Sequence, residues 1–533
     1  MKTVLNKVKN NAGIVIIFLI IDMIVVAAGF WNKELNSDVS NHILQAKDIL
    51  SGNILYRNWN LSKISFLTGD MIFYEIAVLL KGVSYSAAVT ANALMALAVQ
   101  LTLFATCLYG KKRGFFEKLC IIVLIAVPSI GLLRSMMMHT GCWIYCMVLY
   151  MVYDHIYGIS ADEKKLKKYS VLFVCVQALG IFGDFLILLY GALPCLLYSL
   201  IEGYREEKKE ERIRHLKTAA LNIYGSVTAY VLMFLYFGIG GANRCGHVLG
   251  LQFLPALQWR SKLDSLFIIL MDMFGADFTG RKALLPDTIL RCFNFMILLV
   301  GIFFVVFSAI NYLRKKYDDR FSVILDIAIF VSAGTYIFTT RSASRYITDI
   351  ALFLYILIVR NIHIIWARSG HNLKINRILA ACIVLFAVMG HGWGLAESSR
   401  IIVSDPHREL VGFLNEHGLT NGYSSFWNAS VSTVLSEEAV CIRHVEKNTD
   451  GGIAQFVWFG KDTWYEEESH FVVVDNSNGD RGASDSYELS EENCISYFGK
   501  ADTVYEVGKY IILVYDRDIS KELAIPDKES SHL

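Results

Sequence analysis

The stretch GIVIIFLIIDMIVVAAGFW, residues 13–31, decides the fold class, because it is apolar and long enough to cross a membrane. Three lysines precede it within the first nine residues, and Asn32-Lys33-Glu34 follows it directly. A cleaved secretory signal has a shorter apolar region, of about 7–15 residues, and a small-residue cleavage site. We therefore expect an uncleaved first span, with Asp22 turned towards the interior of a helix bundle.

The composition of the whole chain agrees with membrane embedding. The 533 residues are 54% hydrophobic and 19% charged, and the mean hydropathy is +0.43. Soluble domains carry about 25% charged residues. The net charge of +1 offers no means of neutralising nucleic-acid phosphates in bulk. The lipid bilayer is therefore an expected partner, and nucleic acid is not.

Basic residues predict the topology, because cytoplasmic loops accumulate lysine and arginine. Five short segments are densely basic: 111–113, 164–168, 205–217, 314–320 and 368–377. If these segments and the N-terminus all lie inside, about eleven spans follow and the C-terminal tail lies outside. The predicted spans fall near residues 13–31, 87–110, 116–135, 139–157, 169–183, 185–202, 217–239, 291–312, 321–339, 347–366 and 378–397.

The sequence thus predicts an α-helical polytopic membrane protein with two domains. Residues 1–397 would form the membrane domain, in which the outer loop 32–86 carries surface helices. The polar tail, residues 398–533, would form a small extracytoplasmic α/β domain, with strands at 471–474 and 510–515. Asp405-Pro406 has the pattern of an N-cap followed by a first-turn proline, which predicts a helix over 407–415. A disulfide between Cys441 and Cys494 in this tail is compatible with the sequence.

A carboxylate lies just beyond the first span, in NSDVSNHILQAKDILSGNILYRNW, residues 36–59. Asp38 stands where the chain first leaves the bilayer, which suits a general base at a membrane surface. His42 follows four residues later, on the same helical face. Capping of the helix that begins near Val39 is a structural alternative for Asp38.

Other ionisable residues of the outer face also lie close to predicted spans. They are Asp70, His139, Asp184, Arg341 and Arg345. Structural alternatives exist for them: a helix cap for Asp70, a hydrogen bond between spans for His139, and membrane anchoring for the arginines. The sequence holds no Walker A motif and no convincing dinucleotide-binding glycine loop, which disfavours ATPases and soluble dinucleotide enzymes.

The order of these features resembles the GT-C superfamily of integral-membrane glycosyltransferases. The resemblance comprises the aspartate after the first span, the pattern Ala46, Ile49-Leu50, Gly52-Asn53 and Tyr56, the long first outer loop and the outer C-terminal domain. The tail stretch GYSSFWNASVSTVLS, residues 422–436, is similar to the tails of bacterial members. The resemblance implies a catalytic base at Asp38 and a second acid, Asp184 or Asp70, that helps to bind a metal or the acceptor. Many relatives have Asp-Glu where this chain has Asp38-Val39, so a divalent metal stays an open option.

The reaction that the resemblance implies is transfer of a sugar from a polyprenyl-phosphate donor to an extracytoplasmic glycan, lipid or protein. Arg341 or Arg345 would hold the phosphate, and His139 and His42 would contact substrates. Asp38 would deprotonate an acceptor hydroxyl, which attacks the anomeric carbon with inversion. The alternatives are a transporter or flippase of lipid-linked glycans, which should show inverted repeats and broken spans, and a non-enzymatic assembly subunit. The expected location is a bacterial plasma membrane, with the N-terminus in the cytoplasm.

Overall fold

The computed structural model describes most of the chain. It covers residues 13, 16, 18–26, 28–30, 33–61, 64–159, 162–244, 252–316, 319–341, 343–368, 373–400, 405–477 and 489–524. The predicted first span, 13–31, therefore lies partly outside the described residues.

The part of the chain that precedes residue 401 is almost entirely helical. Its helices are α1 (Phe18–Phe30), α2 (Ser37–Leu50), α3 (Met71–Lys81), α4 (Tyr85–Leu108), α5 (Phe115–Ala126), α6 (Ile130–Ser135), α7 (Thr140–Gly158), α8 (Glu163–Gly183), α9 (Leu193–Arg205), α10 (Lys209–Gly238), α11 (Trp259–Met273), α12 (Pro286–Leu313), α13 (Arg320–Phe338), α14 (Thr348–Arg368) and α15 (Leu373–Arg400). A single π-helical turn, Leu188–Ala192, leads into α9.

Six of the described helices are long and apolar enough to cross a membrane by length and composition. They are α4, α8, α10, α12, α13 and the segment Ile375–Arg400 of α15. The molecule is therefore a multi-pass membrane protein, and the total of eleven spans stays a prediction. The predicted short span 169–183 begins earlier than expected, because α8 starts at Glu163.

One predicted span is interrupted. The apolar run 116–135 is divided into α5, which ends at Ala126, and α6, which begins at Ile130. Pro128 lies between them and has no N–H to donate to a preceding turn. Ser129 then caps α6, since its Oγ accepts from the backbone N of Leu132 at 3.1 Å. The prediction of one continuous helix over this run was wrong.

Basic loops that were predicted to share a face contact one another. Lys111 Nζ lies 3.1 Å from Asp319 Oδ2, and Arg205 Nη2 donates to the Tyr312 carbonyl at 3.1 Å. These contacts gather the loops 111–113, 205–217 and 314–320 at one end of the helix bundle. Which side of the membrane this end faces stays a prediction.

The C-terminal region combines a sheet with helices. It contains α16 (Pro406–Glu416), α17 (Phe426–Leu435) and α18 (Glu491–Phe498), with strands β3 (Asn421–Ser424), β4 (Cys441–Lys447), β5 (Ile453–Gln455), β6 (Phe471–Asp475), β7 (Thr503–Val507) and β8 (Tyr510–Val514). The strand order is β5-β4-β3-β6-β8-β7, and β3 is parallel to both β4 and β6. The predicted strands at 471–474 and 510–515 and the predicted helix at 407–415 are confirmed. Cys441 and Cys494 are both free thiols.

The segment between α1 and α4 packs against this C-terminal region. Two short strands of the membrane part, β1 (Asn60–Leu61) and β2 (Asn243–Arg244), pair in parallel. Asp462 accepts from the side-chain amides of Asn60 and Asn243, and Lys461 Nζ lies 2.8 Å from Asp48 Oδ1 at the end of α2. The C-terminal region is thus fixed to both strands and to helix α2.

Candidate active site

A cavity of about 390 Å³ lies among the end of α1, the start of α2, α3, the start of α4 and the segment before α7. Its volume is in the range of small-molecule binding sites, about 300–1,000 Å³. Four of the residues that the sequence analysis selected line it: Asp38, His42, Asp70 and His139. The other charged lining residues are Lys33, Glu34 and Arg134.

Asp38 is half-buried in the first turn of α2 and faces this cavity. The cap of the helix is Asn36, whose Oδ1 accepts from the backbone N of Asp38 at 2.7 Å. The alternative role of Asp38 as the helix cap is therefore wrong. Its carboxylate is not required for that bond, and the N-terminal position favours its negative charge.

His42 lies one turn further along α2 and is buried among aromatic rings. Its ring centroid is 5.1 Å from those of Phe66 and Tyr74, and its Nδ1 is 3.1 Å from Gln45 Oε1. Burial is the largest cause that lowers the pKa of His42, although the charge of Asp38 acts in the opposite direction. The ring is consequently neutral at pH 7 and able to exchange a hydrogen bond with a ligand.

Asp70 caps a helix that lies far along the chain. It occupies the position before α3 but makes no side-chain cap bond there. Its carboxylate instead accepts from the backbone N of Thr140 at 3.1 Å and of Gly141 at 2.6 Å, at the N-terminus of α7. Burial raises the pKa of Asp70 to about 6, which exceeds the effect of these hydrogen bonds.

His139 and Asp184 form a buried pair at the cavity wall. His139 Nδ1 lies 2.6 Å from Asp184 Oδ2, and Asp184 Oδ1 accepts from the backbone N of Leu186 at 2.9 Å. The φ angle of His139 is +60°, which is uncommon for a residue with a side chain. Backbone strain of this kind is often retained where a side chain must point at a ligand. Asp184 itself is not among the lining residues and acts through His139.

The two arginines selected from the sequence lie behind the cavity. Both stack on Tyr346, with guanidinium-to-ring distances of 4.8 Å for Arg341 and 5.5 Å for Arg345. Arg345 Nη1 lies 3.3 Å from the sulfur of Met138, which is a lining residue. Among the described residues, Arg341 Nη1 and Arg345 Nε are buried without a hydrogen-bond partner.

Two cations that the sequence analysis did not select lie in the cavity wall. Lys33 Nζ donates to the Ser398 carbonyl at 2.5 Å, and Arg134 Nη2 donates to the Ser398 hydroxyl at 3.3 Å. Burial, followed by the charge of Arg134, lowers the pKa of Lys33. Lys33 and Arg134 both contact Ser398 and line the same cavity as Asp38. Two positive charges in this position offer a site for an anion. Lys33 directly follows the first span and could have been recognised, whereas the approach of Arg134 depends on the tertiary fold.

Two of the three acids selected from the sequence already accept hydrogen bonds from other groups. Asp184 is bonded to His139, and Asp70 is bonded to the start of α7. Across the described part of the chain, one group of histidine and acidic side chains has ligand atoms close enough to share an ion, and it contains none of these acids. We therefore derive no step of the reaction through a metal on Asp38, Asp70 or Asp184.

Solved structures provide the comparison for this arrangement. The chain is similar to ArnT from Cupriavidus metallidurans in the apo state, with a TM-score of 0.57 and 11% identity over 97% of this chain and 100% of that one. It is also similar to ArnT from the same organism bound to undecaprenyl phosphate, with a TM-score of 0.52 and 12% identity over 94% and 98% of the two chains. No protein-family model and no curated protein matches the chain. At this identity the likeness shows the fold alone, which this chain shares with the two ArnT structures.

Proposed function

We propose that this protein is a membrane glycosyltransferase that moves a sugar from a polyprenyl-phosphate donor to an extracytoplasmic acceptor. The observation that carries the proposal is one cavity that holds the Asp38 carboxylate together with the cations Lys33 and Arg134. A carboxylate can take a proton from an acceptor, and cations can stabilise a phosphate that leaves. The likeness of the fold to an ArnT structure that contains undecaprenyl phosphate supports a lipid-linked donor.

In the proposed reaction Asp38 takes the proton of an acceptor hydroxyl. The acceptor oxygen forms a bond to the anomeric carbon as the bond from that carbon to the phosphate oxygen breaks. The electron pair of the broken bond leaves on the lipid phosphate, whose developing charge Lys33 and Arg134 neutralise. Attack from the face opposite the phosphate inverts the anomeric centre. The acceptor is a glycan, a lipid or a protein.

The remaining polar residues position the reactants in this proposal. His139 is held by Asp184 through Nδ1, has a φ of +60° and lines the cavity, where its Nε2 would bind a sugar hydroxyl. His42 supplies a neutral ring one helical turn along α2 from Asp38. Arg345 supports the wall from behind, through Met138. Asp70 fixes the N-terminus of α7 and with it the location of His139.

Replacement of the base gives the most direct test. Purified protein is incubated with a panel of polyprenyl-phosphate sugars, and released lipid phosphate and glycosylated acceptor are measured. We expect Asp38→Asn to lower the transfer rate about 10²–10⁴-fold, because a positioned general base contributes that much. The affinity for the donor should change little, since the phosphate contacts Lys33 and Arg134.

Asp264→Asn is the matched control, because it neutralises an exposed acid on α11 outside the cavity. This control should transfer sugar at the wild-type rate. Wild-type turnover in the Asp38→Asn variant would refute Asp38 as the base. Failure of the wild-type protein to consume any lipid-linked sugar would favour the non-enzymatic alternatives.

A further inference from the structure

A second cluster of ionisable side chains lies where the first outer loop meets the C-terminal region. Glu34 precedes α2, Asp405 is the N-cap of α16, and His407 lies in the first turn of α16. One carboxylate oxygen or ring nitrogen from each of the three lies within 4.8 Å of the others. The cluster thus joins residues more than 370 positions apart in the sequence.

Asp405 is buried and only part of its carboxylate is used. Its Oδ1 accepts from the backbone N of His407 at 3.0 Å and lies 2.7 Å from His407 Nδ1. Its Oδ2 has no hydrogen-bond partner among the described residues, although the side chain is 94% buried (6% exposed). A buried carboxylate oxygen without a donor is costly and calls for a cation or a proton.

The other ring nitrogen of His407 is oriented by an amide. Nε2 lies 3.1 Å from Asn428 Oδ1, and Asn428 Nδ2 donates to the Ser425 hydroxyl at 3.0 Å. With the amide in this orientation, Nε2 donates a hydrogen bond to Asn428 Oδ1. In the neutral ring, Nδ1 then presents a lone pair to the Asp405 carboxylate at 2.7 Å, an arrangement that needs a positive charge between them. Ligands of metal ions typically show this pattern, with the second ring N–H donated to a carbonyl oxygen.

We propose that Glu34, Asp405 and His407 bind a divalent transition-metal ion, with zinc as the best match. One imidazole and two carboxylates suit zinc, whereas calcium and magnesium prefer sites made of oxygen alone. Two ligand atoms that each lie about 2.0–2.1 Å from a tetrahedral ion are roughly 3.3 Å apart. His407 Nδ1 and Asp405 Oδ1, which lie 2.7 Å apart, would therefore have to separate by less than about 1 Å to bind the ion together. Three protein ligands leave one position for water.

The location of this site gives the ion a structural role. Glu34 also lines the cavity that contains Asp38, and α16 begins the C-terminal region. A bound ion would therefore fasten the start of the first outer loop to the C-terminal region at the edge of the cavity. Binding of the ion can be measured without substrate, so the metal site can be tested independently of the proposed transferase activity.

Metal binding to the full-length purified protein is the test. After treatment with a chelator, the protein is titrated with Zn²⁺ by calorimetry, and its thermal midpoint is followed. We expect one equivalent of Zn²⁺ to bind with a dissociation constant below about 10 μM and to raise the midpoint, since a ligand stabilises the state that binds it. Bound Co²⁺ should give the visible absorption of a nitrogen and oxygen site.

Two variants keep the fold and remove a ligand charge. Asp405→Asn retains an N-cap acceptor, and Glu34→Gln changes an exposed side chain. Both should weaken Zn²⁺ binding at least tenfold, whereas the control His417→Ala, at the exposed end of the same helix, should bind as the wild type does. Absence of binding at 100 μM Zn²⁺ would overturn the proposal, and so would unchanged affinity in both ligand variants. In the first case, His407 is a hydrogen-bond partner of Asp405 only.

Discussion

Asp70 is the residue whose chemistry depends most clearly on its surroundings. Its raised pKa, about 6, is the result of burial, which outweighs two backbone hydrogen bonds at the start of α7. The carboxylate of an unfolded chain titrates near about 3.9. Between these values the folded protein holds more protons than the unfolded one, so this group makes stability fall as the pH rises from about 4 to about 6.

Asp70→Asn should remove that contribution, on the order of 2–3 kcal/mol, because an amide does not titrate. At pH 4 the variant should be the less stable protein, since its NH₂ group cannot replace one of the two acceptor oxygens. The difference should shrink or reverse by pH 7. Thermal midpoints of both proteins, measured across this range, give the result. Parallel pH profiles would contradict the assignment.

Gly141 makes the capping by Asp70 sterically possible. A Cβ at this position would lie 2.7 Å from Gly69 Cα and 3.2 Å from Asp70 Oδ1. We expect Gly141→Ala to destabilise the protein by about 1–3 kcal/mol, because the obstructing atom belongs to the backbone. Gly158→Ala, at the other end of α7, is the control, since nothing lies within 4 Å of its Cβ. Chemical denaturation of the two variants should separate them; equal midpoints would show that the Gly69–Gly141 contact relaxes freely.

At the scale of elements, the helix that carries Asp38 is held by the C-terminal region. Helix α2 packs on α17, where Ser430 Oγ donates to Asn41 Oδ1 at 2.8 Å and Ser37 Oγ donates to the Trp427 carbonyl at 2.9 Å. The salt bridge between Asp48 and Lys461 fixes the other end of α2. The orientation of the proposed base thus depends on contacts across nearly 400 residues of sequence.

A double-mutant cycle measures this dependence. Asn41→Ala and Ser430→Ala should each lower the sugar-transfer rate several-fold, and together they should cost less than the sum, with a coupling of about 0.5–1.5 kcal/mol. Ser261→Ala on α11 replaces Ser430→Ala in a control cycle, in which the effects should add. Additive effects in the first cycle would mean that the hydrogen bond between Ser430 and Asn41 does not influence the transfer rate.

Local signals were sufficient to predict some elements and insufficient for others. Asp405-Pro406 marked the start of α16, because an N-cap and a first-turn proline act within one helical turn. The same kind of signal, Pro128-Ser129, separates α5 from α6, but it lies inside an apolar run whose length predicts a single span. Capping of α7 by Asp70 could not be predicted, because the two are brought together only by the packing of the loop.

At the scale of the whole molecule, the sequence was sufficient for the fold class. The apolar runs and the aspartate after the first span indicated a polytopic helical membrane protein, and the fold is similar to that of ArnT from Cupriavidus metallidurans. Of the residues selected from the sequence, Asp38, His42, Asp70 and His139 line the cavity, whereas Asp184, Arg341 and Arg345, which were expected at the same site, do not. Candidate residues were selected from the sequence because they lie close to predicted spans. That criterion cannot show that Arg134 lines the cavity, or that Arg341 stacks on Tyr346 behind it.

The orientation in the membrane is a testable property of the whole chain. The basic loops predict that the N-terminus lies in the cytoplasm and the C-terminal region outside. A C-terminal alkaline phosphatase fusion, expressed in bacteria, should be active, and a fusion after Lys165 should be inactive. Fluorescent-protein fusions at the same positions should give the opposite pattern. An inactive phosphatase at the C-terminus, with the fusion protein intact on a gel, would reverse the topology.

The packing of α2 on α17 also bears on how the molecule is made. Ribosomes deliver the segment with Asp38 to the membrane long before they reach Ser430, the hydrogen-bond partner of Asn41. During that interval the nascent chain has its first helices inserted but lacks the support for its proposed base. Catalytic competence would then arrive only when about the last quarter of the polypeptide, which contains Ser430, has been made and folded.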